Sequence, residues 1–411
     1  NIHKMQFIDK KIAVLGLGEE GKDLLGWLKT NTRNCQIKFF DKITTADLTD
    51  FDIIFRSPGF YRLGTMLKQA EAAGATISSA TKLFFDLCPA KIIGVTGTKG
   101  KGTTTTLIYK MLQAQGKRAF IAGNIGKPML KLLPRLKSGD WVCLELSSFQ
   151  LQDLTVSPQV AVVLNITRDH LDIHQSLREY REAKTNIVRH QKKQDFAVLN
   201  ADYAATRKLA GRTSAKIHWF SGRRLDLDVN QIKLRGEHNR ENIAAAMTAA
   251  GLAGVSRKNQ EKIVYSFAGL EHRLEPVRTV AGVKFFNDSF STTPETAIAA
   301  IKSFTEPLII VLGGSDKGSD YRQLGRTISL RPNLKAVILI GQMGPVIKQF
   351  IKNYHGLVIQ GGSNMKAIVK QSQNLAVRGD VIVLSPACAS FDMFKNYQDR
   401  GNQFKLWVNQ L

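Results

Sequence analysis

Short apolar runs that stop at glycine recur along the chain, and most give way to a stretch with helical spacing. "KKIAVLGLGEEGKDLLGWL" is the first: an apolar run from Ile12 to Leu15, a glycine turn, then an amphipathic pattern. "CQIKFFD" and "DIIFRSPG" follow it. "KIIGVTG", "WVCLELSSFQL" and "VAVVLNI" repeat the pattern in the middle, and "LIIVLGG", "KAVILIG", "GLVIQGG" and "DVIVLSPA" towards the end. Runs this short, alternating with helical stretches such as "SLREYREAKTNIV" and "NMKAIVKQSQNLAV", predict βαβ units with mostly parallel sheets. The expected fold is α/β in three domains: a Rossmann-like domain over 1–90, a central P-loop ATPase-like domain over 91–269, and a Rossmann-like domain over 270–411.

Composition narrows the classes of function. A chain of 411 residues has room for two or three cores, and its 43% hydrophobic and 22% charged residues are ordinary for a globular protein. No apolar run approaches the roughly 20 residues that span a bilayer, so membrane insertion is not expected. The opening "NIHKMQFIDKK" lacks the apolar stretch of a secretory signal. Cys35, Cys88, Cys143 and Cys388 are too scattered for a zinc site or a disulfide framework, which suits a reducing cytoplasm. A monomer is expected. The net charge of +24 comes from scattered lysines and arginines, as in "RHQKK" and "SGRR". No nucleic-acid motif accompanies them, so the charge points to anionic small molecules and not to nucleic acid.

Two glycine loops carry the first chemistry. Gly16-x-Gly18-x-x-Gly21 joins a strand to a helix, and Asp41 ends the next strand. That is a dinucleotide-type fingerprint in its proper context, although it does not say which nucleotide is bound. The second loop, "GVTGTKGKGTTTT" from Gly94 to Thr106, resembles a phosphate loop with an extra residue and with Gly102 where a hydroxyl usually follows the lysine. Its backbone N–H groups would face phosphate at a helix N-terminus, with Lys101 as a point charge. Glu145, Asp169, His170 and Asp172 lie at the ends of the two following strands, where a metal-nucleotide site needs carboxylates and imidazole. Hydride transfer has no use for a triphosphate loop, so the pair of loops argues against a dehydrogenase. It favours joining two substrates at the expense of ATP.

At this point the residues resemble the Mur ligases of peptidoglycan synthesis over essentially the whole chain. Eight stretches fall in the family's order: "AGNIGKP", "ELSSFQL", "LNITRDHLD", "GEHNRENIAAA", "HRLE", "NDSFSTTP", "GGSDKGSDY" and "LSPACASFDMFKNYQDRGNQF". The last is similar to the signature of the D-glutamate-adding members. The resemblance also explains the loop, because the family form G-x-T-G-[S/T]-x-G-K-x-[S/T] contains the extra residue and moves the metal-binding hydroxyl to Thr103.

The resemblance implies ATP-dependent amide formation through an acyl phosphate. The implied partners are UDP-N-acetylmuramoyl-L-alanine and D-glutamate; the cofactors are two Mg²⁺ ions, with Mn²⁺ as a substitute, and a carbamylated lysine. It assigns Lys101, Glu145, His170 and Lys184 to catalysis, and Thr103, Glu145, His170 and carbamylated Lys184 to metal. Gly97, Thr98, Lys99, Gly100, Lys101, Gly102, Thr103, Asn242, Arg273 and Asp288 would bind ATP. Gly18, Glu19, Glu20, Asp41, Lys42, Ser57, Pro58, Gly59, Asn124, Ser147 and Gln150 would bind the UDP substrate. Thr292, Lys317, Ser390 and Phe394 would bind glutamate. Taken without the resemblance, Lys184 reads as a solvent-facing helix lysine and Phe394 as a core residue. One departure stands out: Phe290 replaces the lysine common in "NDSKATN", so a lysine restored there is expected to be neutral or beneficial if the lost charge is merely compensated elsewhere. A folylpolyglutamate-type ligase, or a Mur-type ligase with another acceptor, shares the loop and the chemistry.

Overall fold

The computed structural model describes residues 7–41, 47–124, 128–167, 176–234, 236, 238–316 and 318–411. It divides into two compact units, residues 1–232 with 237–266, and residues 233–236 with 267–411.

The first unit holds two main sheets and a short parallel pairing of Phe7–Ile8 with Thr32–Arg33. Four parallel strands stand in the order Gln36–Phe40, Lys11–Leu15, Ile53–Arg56, Thr76–Ser78. Six parallel strands follow in the order Lys216–Phe220, Phe196–Asn200, Val160–Val163, Lys91–Thr96, Trp141–Glu145, Ala119–Gly123. Lys11–Leu15 buries Ile12 through Leu15 without a break, as a central strand covered on both faces must. On one face Ala13, Leu15, Ile54 and Ile77 form a small cluster of their own. On the other, Ile12, Val14 and Phe55 join Phe84, Leu130, Val142, Leu144 and Ile187 in one continuous core. That shared core is why the first two sheets form a single unit.

Buried polar contacts stitch the same seam. Arg56 and Asp153, both nearly inaccessible, pair at 2.9 Å, and Arg56 also donates to the carbonyls of Phe60 and Phe149. Tyr61 donates to Glu179 at 3.2 Å, and the Leu130 amide donates to Asp23 at 2.9 Å. Burial raises the carboxyls of Asp153 and Asp23 against the charges and amides that hold them down. Leaving either member of a buried pair alone costs about 3–5 kcal/mol, so these contacts define the seam's geometry more than they add stability.

The second unit is a six-stranded sheet in the order Glu275–Val280, Val283–Asn287, Val381–Leu384, Leu308–Gly313, Leu334–Ile340, Leu357–Gln360. All pairs are parallel except the first. The central run "LIIVLG" alternates between two cores, with Leu308, Ile310 and Leu312 in one and Ile309 and Val311 in the other. No helix among the described residues is long and apolar enough to cross a membrane.

Candidate active site

The glycine loop leaves strand Lys91–Thr96 and enters helix Lys101–Ala114. Gly97 takes φ +155° and Gly100 caps the helix at φ +88°, both left-handed. A Cβ on Gly100 would lie 2.0 Å from Asn242 Oδ1, so only glycine fits there. Asn165 braces the loop, its carbonyl accepting from Thr98 N at 2.7 Å and its Oδ1 from Lys99 N at 3.0 Å. Thr98 Oγ1 meets the Tyr180 hydroxyl at 3.0 Å. Lys101 folds its ammonium back on the loop, donating to Gly97 O at 3.1 Å and Thr98 O at 3.0 Å. Lys99 is exposed.

The threonines after the loop divide their work. Thr105 donates to Lys101 O at 2.8 Å, and Thr104 Oγ1 lies 3.4 Å from Asn242 Oδ1. Thr103 keeps its hydroxyl clear of side-chain hydrogen bonds among the described residues. Asn242 is buried and bonded to Asn239 at 2.7 Å, so here its amide buttresses the loop.

Lys184 is not a solvent-facing residue. Helix Leu177–Arg189 buries Tyr180, Ala183, Lys184, Ile187 and Val188, an i, i+3, i+4, i+7, i+8 stripe that carries the lysine inward. Its side chain is 1% exposed, and Nζ donates to Gly97 O at 3.0 Å and Thr96 Oγ1 at 3.2 Å. The ammonium also lies 4.8 Å from the Tyr180 ring centre. Lys101 and Lys184 therefore meet at one carbonyl, that of Gly97. Glu145, in register with Val95 on the neighbouring strand, is buried and accepts from Asn124 Nδ2 at 3.1 Å. Among the described residues no three His, Cys, Asp or Glu side chains converge as a metal cluster. The oxygen donors that are described, the Thr103 hydroxyl and the Glu145 carboxylate, suit Mg²⁺ in type. His170 lies outside the described residues, as do Lys42 and Lys317.

The expected substrate residues of the first unit gather at the ends of its strands. Ser147 and Gln150 form a capping box, and Gln150 reaches Glu20, whose carboxyl is raised by burial. Ser57 donates to Gly16 O at 3.0 Å, tying the two turns together. A Cβ on Gly21 would collide with Gly16 O at 2.0 Å, so that glycine serves close packing. By contrast, Gly18 and Gly59 face nothing within 4 Å, which leaves backbone open to a ligand in both turns. Glu19 begins the helix beside Gly18, Pro58 precedes Gly59, and Asp41 is exposed.

In the second unit Asp288 is buried, accepting from Ser385 Oγ at 2.7 Å and Leu274 N at 3.1 Å. Desolvation pushes its carboxyl from 3.8 to about 7 despite those donors and Arg273. The folded state then keeps a proton that the unfolded chain releases, so stability should fall as pH rises from 3.8 to about 7. Asp288→Asn is expected to flatten this slope. Urea melts across that range check it, and an unchanged slope would assign the dependence elsewhere.

Phe290 stacks under Arg273, with the guanidinium 4.0 Å from the ring centre, and meets Tyr397 edge-on at 5.0 Å. A lysine at 290 would set one cation against another, so the expectation of a neutral or beneficial replacement is withdrawn. Thr292 is half-buried in the same loop, Ser390 is buried in the loop after strand Val381–Leu384, and Phe394 packs in the core under that loop.

Sequence reasoning missed Asn165 and Tyr180, which shape the glycine loop, as well as Arg56 and Asp153. Tyr180 had a usable signal, one helical turn before Lys184; Asn165 lies just past strand Val160–Val163, beside the loop.

A lysine-bearing phosphate loop in a parallel sheet, joined to a further α/β unit, is the build of a nucleotide-dependent ligase, and the chain belongs to the Mur ligase family. The family model for the Mur ligase middle domain matches residues 95–225, and that for the Mur ligase glutamate ligase domain matches 272–388. Among its relatives, the UDP-N-acetylmuramoylalanine–D-glutamate ligase of Acetivibrio thermocellus is 38% identical over all of this chain and 98% of its own. The enzyme of that name from Symbiobacterium thermophilum is 39% identical over 89% of this chain and 85% of its own. In fold the chain resembles the MurF ligase of Thermotoga maritima in complex with ADP, with a TM-score of 0.62 at 18% identity, covering 100% of this chain and 97% of that one.

Proposed function

We infer that the protein joins D-glutamate to UDP-N-acetylmuramoyl-L-alanine, with ATP converted to ADP and phosphate, in peptidoglycan precursor synthesis. The observation that carries the chemistry is the meeting of Lys101 and buried Lys184 at the Gly97 carbonyl, just past the strand next to that of Glu145. Full-length kinship with ligases named for this reaction supports the substrates.

The alanine carboxylate attacks the γ-phosphorus of ATP, giving an acyl phosphate and ADP. The glutamate amine then attacks the acyl carbon, and phosphate leaves as the amide forms. Bringing anions together requires positive charge and directed N–H groups, which Lys101 and the N-terminus of helix Lys101–Ala114 supply. In this proposal Gly97 to Thr103, Asn242, Arg273 and Asp288 hold ATP. The turns at Gly18 and Ser57–Gly59, with Glu19, Glu20, Asp41, Lys42, Asn124, Ser147 and Gln150, hold the UDP sugar. Thr292, Lys317, Ser390 and Phe394 receive glutamate. Thr103, Glu145, His170 and Lys184 as its carbamate would hold Mg²⁺, which when bound neutralises phosphate charge. The carbamate forms when the Lys184 ammonium gives up one proton and the free amine adds to CO₂ with loss of a second, turning a buried cation into an oxygen-donor anion. A division at 90/91 and 269/270, a monomeric state and a cytoplasmic site complete the proposal.

The test is steady-state turnover with ATP, Mg²⁺ and UDP-N-acetylmuramoyl-L-alanine, offering D-glutamate, L-glutamate and D-aspartate separately. Phosphate release that requires all three substrates, with a D-glutamyl product by mass, is expected. Use of alanine or a diamino acid in place of all three would show that the acceptor pocket has been misassigned.

A further inference from the structure

Arg400 is the largest fully buried side chain among the described residues, at 0% exposure on helix Tyr397–Asn409. Its guanidinium makes four hydrogen bonds. Nε donates to Ser289 Oγ at 2.9 Å, and Nη2 donates to Ser289 O at 2.9 Å and Cys388 O at 3.1 Å. Nη1 donates to Ala389 O at 3.1 Å. Ser289 follows strand Val283–Asn287, and Cys388 and Ala389 follow strand Val381–Leu384, its parallel neighbour. The loop after the next strand, Leu308–Gly313, closes on the same point: a Cβ on Gly314 would lie 2.1 Å from Ala389 O and 3.2 Å from Arg400 Nη1. One side chain thus fastens the ligand-facing ends of adjacent strands.

All four acceptors are neutral oxygens. Asp288 and Asp392 act on Arg400 only through space, and burial lowers its guanidinium to about 10, which leaves it protonated at neutral pH. Burying a cation without a bonded carboxylate is an expensive way to hold two loops, and an apolar side chain would pack the helix more cheaply. What an arginine adds is a planar fork that meets several acceptors at once and a positive potential at the strand ends.

We propose that Arg400 is a positioning residue for the acceptor site, locking the Ser289 and Cys388–Ala389 loops so that Thr292 and Ser390 meet a dicarboxylic amino acid. The proposal rests on the acceptor reading of the second unit given above. A lysine cannot reproduce the fork, so Arg400→Lys loosens both loops while keeping the charge.

The experiment uses the full chain as Arg400→Lys and, as a milder probe, Ser289→Ala. Three Michaelis constants and kcat are measured, with amide hydrogen exchange followed over 287–291 and 385–390. The expected result is a rise of about ten-fold or more in the constant for glutamate for Arg400→Lys, and a smaller rise for Ser289→Ala. The constants for Mg-ATP and the UDP sugar should stay within about two-fold, with exchange faster in both loops. Unchanged exchange would overturn the locking role. Faster exchange with an unmoved glutamate constant would instead overturn the acceptor reading on which the proposal stands. Equal losses for all three substrates would reduce Arg400 to a general structural residue. Should Arg400→Lys fail to fold, the Ser289→Ala comparison decides among the same outcomes.

Discussion

Lys184→Ala should lower turnover by roughly 10²–10³-fold, the range seen when one preorganised charge-stabilising group is lost. The side chain is sealed in the interior, with Nζ 3.0 Å from the carbonyl of Gly97 in the phosphate loop. Its neighbours are fixed: Thr96 donates to Leu146 O at 2.8 Å, and Tyr180 is held by Thr98. Truncation to alanine leaves a polar space that small carboxylic acids can enter. If the working form is the carbamate, formate or acetate should restore part of the lost rate, because each supplies the missing oxygens. Lys184→Arg keeps a cation and should not be rescued. The measurement is phosphate release with and without added acid. Near-normal turnover in the alanine variant, or equal rescue of the arginine variant, would remove the carbamate from the proposal.

A second large effect is expected at Gly100. Alanine there meets two separate penalties, a left-handed backbone at φ +88° and a Cβ 2.0 Å from Asn242 Oδ1. The first costs about 1–2 kcal/mol and the second about 1–3 kcal/mol, because Asn242 is itself held by Asn239 and cannot retreat freely. Gly100 caps the helix whose first N–H groups would face phosphate in the proposed site, so the disturbance should fall on ATP binding as well as on folding. Affinity for a non-hydrolysable ATP analogue should drop by about ten-fold or more, a loss near 1.4 kcal/mol. Gly116→Ala is the control: φ is +77° and nothing stands within 4 Å, so strain alone remains and ATP binding should be untouched. Equal effects of the two substitutions in calorimetric titration and urea melts would refute the steric account.

Some of this was readable without coordinates. Apolar runs ending in glycine predict strands that stop at a ligand-facing edge, because a buried parallel strand must be apolar on both faces and its turn must be tight. The shape of the glycine loop was legible for the same local reason, since left-handed backbone at Gly97 and Gly100 demands glycine in the sequence. Lys184 was half legible. Taken alone it reads as a surface lysine, yet Tyr180, Ala183, Ile187 and Val188 form an apolar stripe that includes it.

The rest depended on contacts between segments remote in the chain. Nothing local in "FRSPG" tells that Arg56 pairs with Asp153, or that the first two sheets share one core. Phe290 looked like a lost charge until its ring was found under Arg273, and Arg400 looked like one more basic residue of a chain with net charge +24. Backbone geometry and strand burial follow from the residue and its near neighbours, so the sequence by itself determined the α/β class, the strand ends and the glycine loop. Which charge is buried, and against what, depends on the desolvation and hydrogen bonds that distant segments supply. Only the tertiary structure decided the surroundings of Lys184, Phe290 and Arg400.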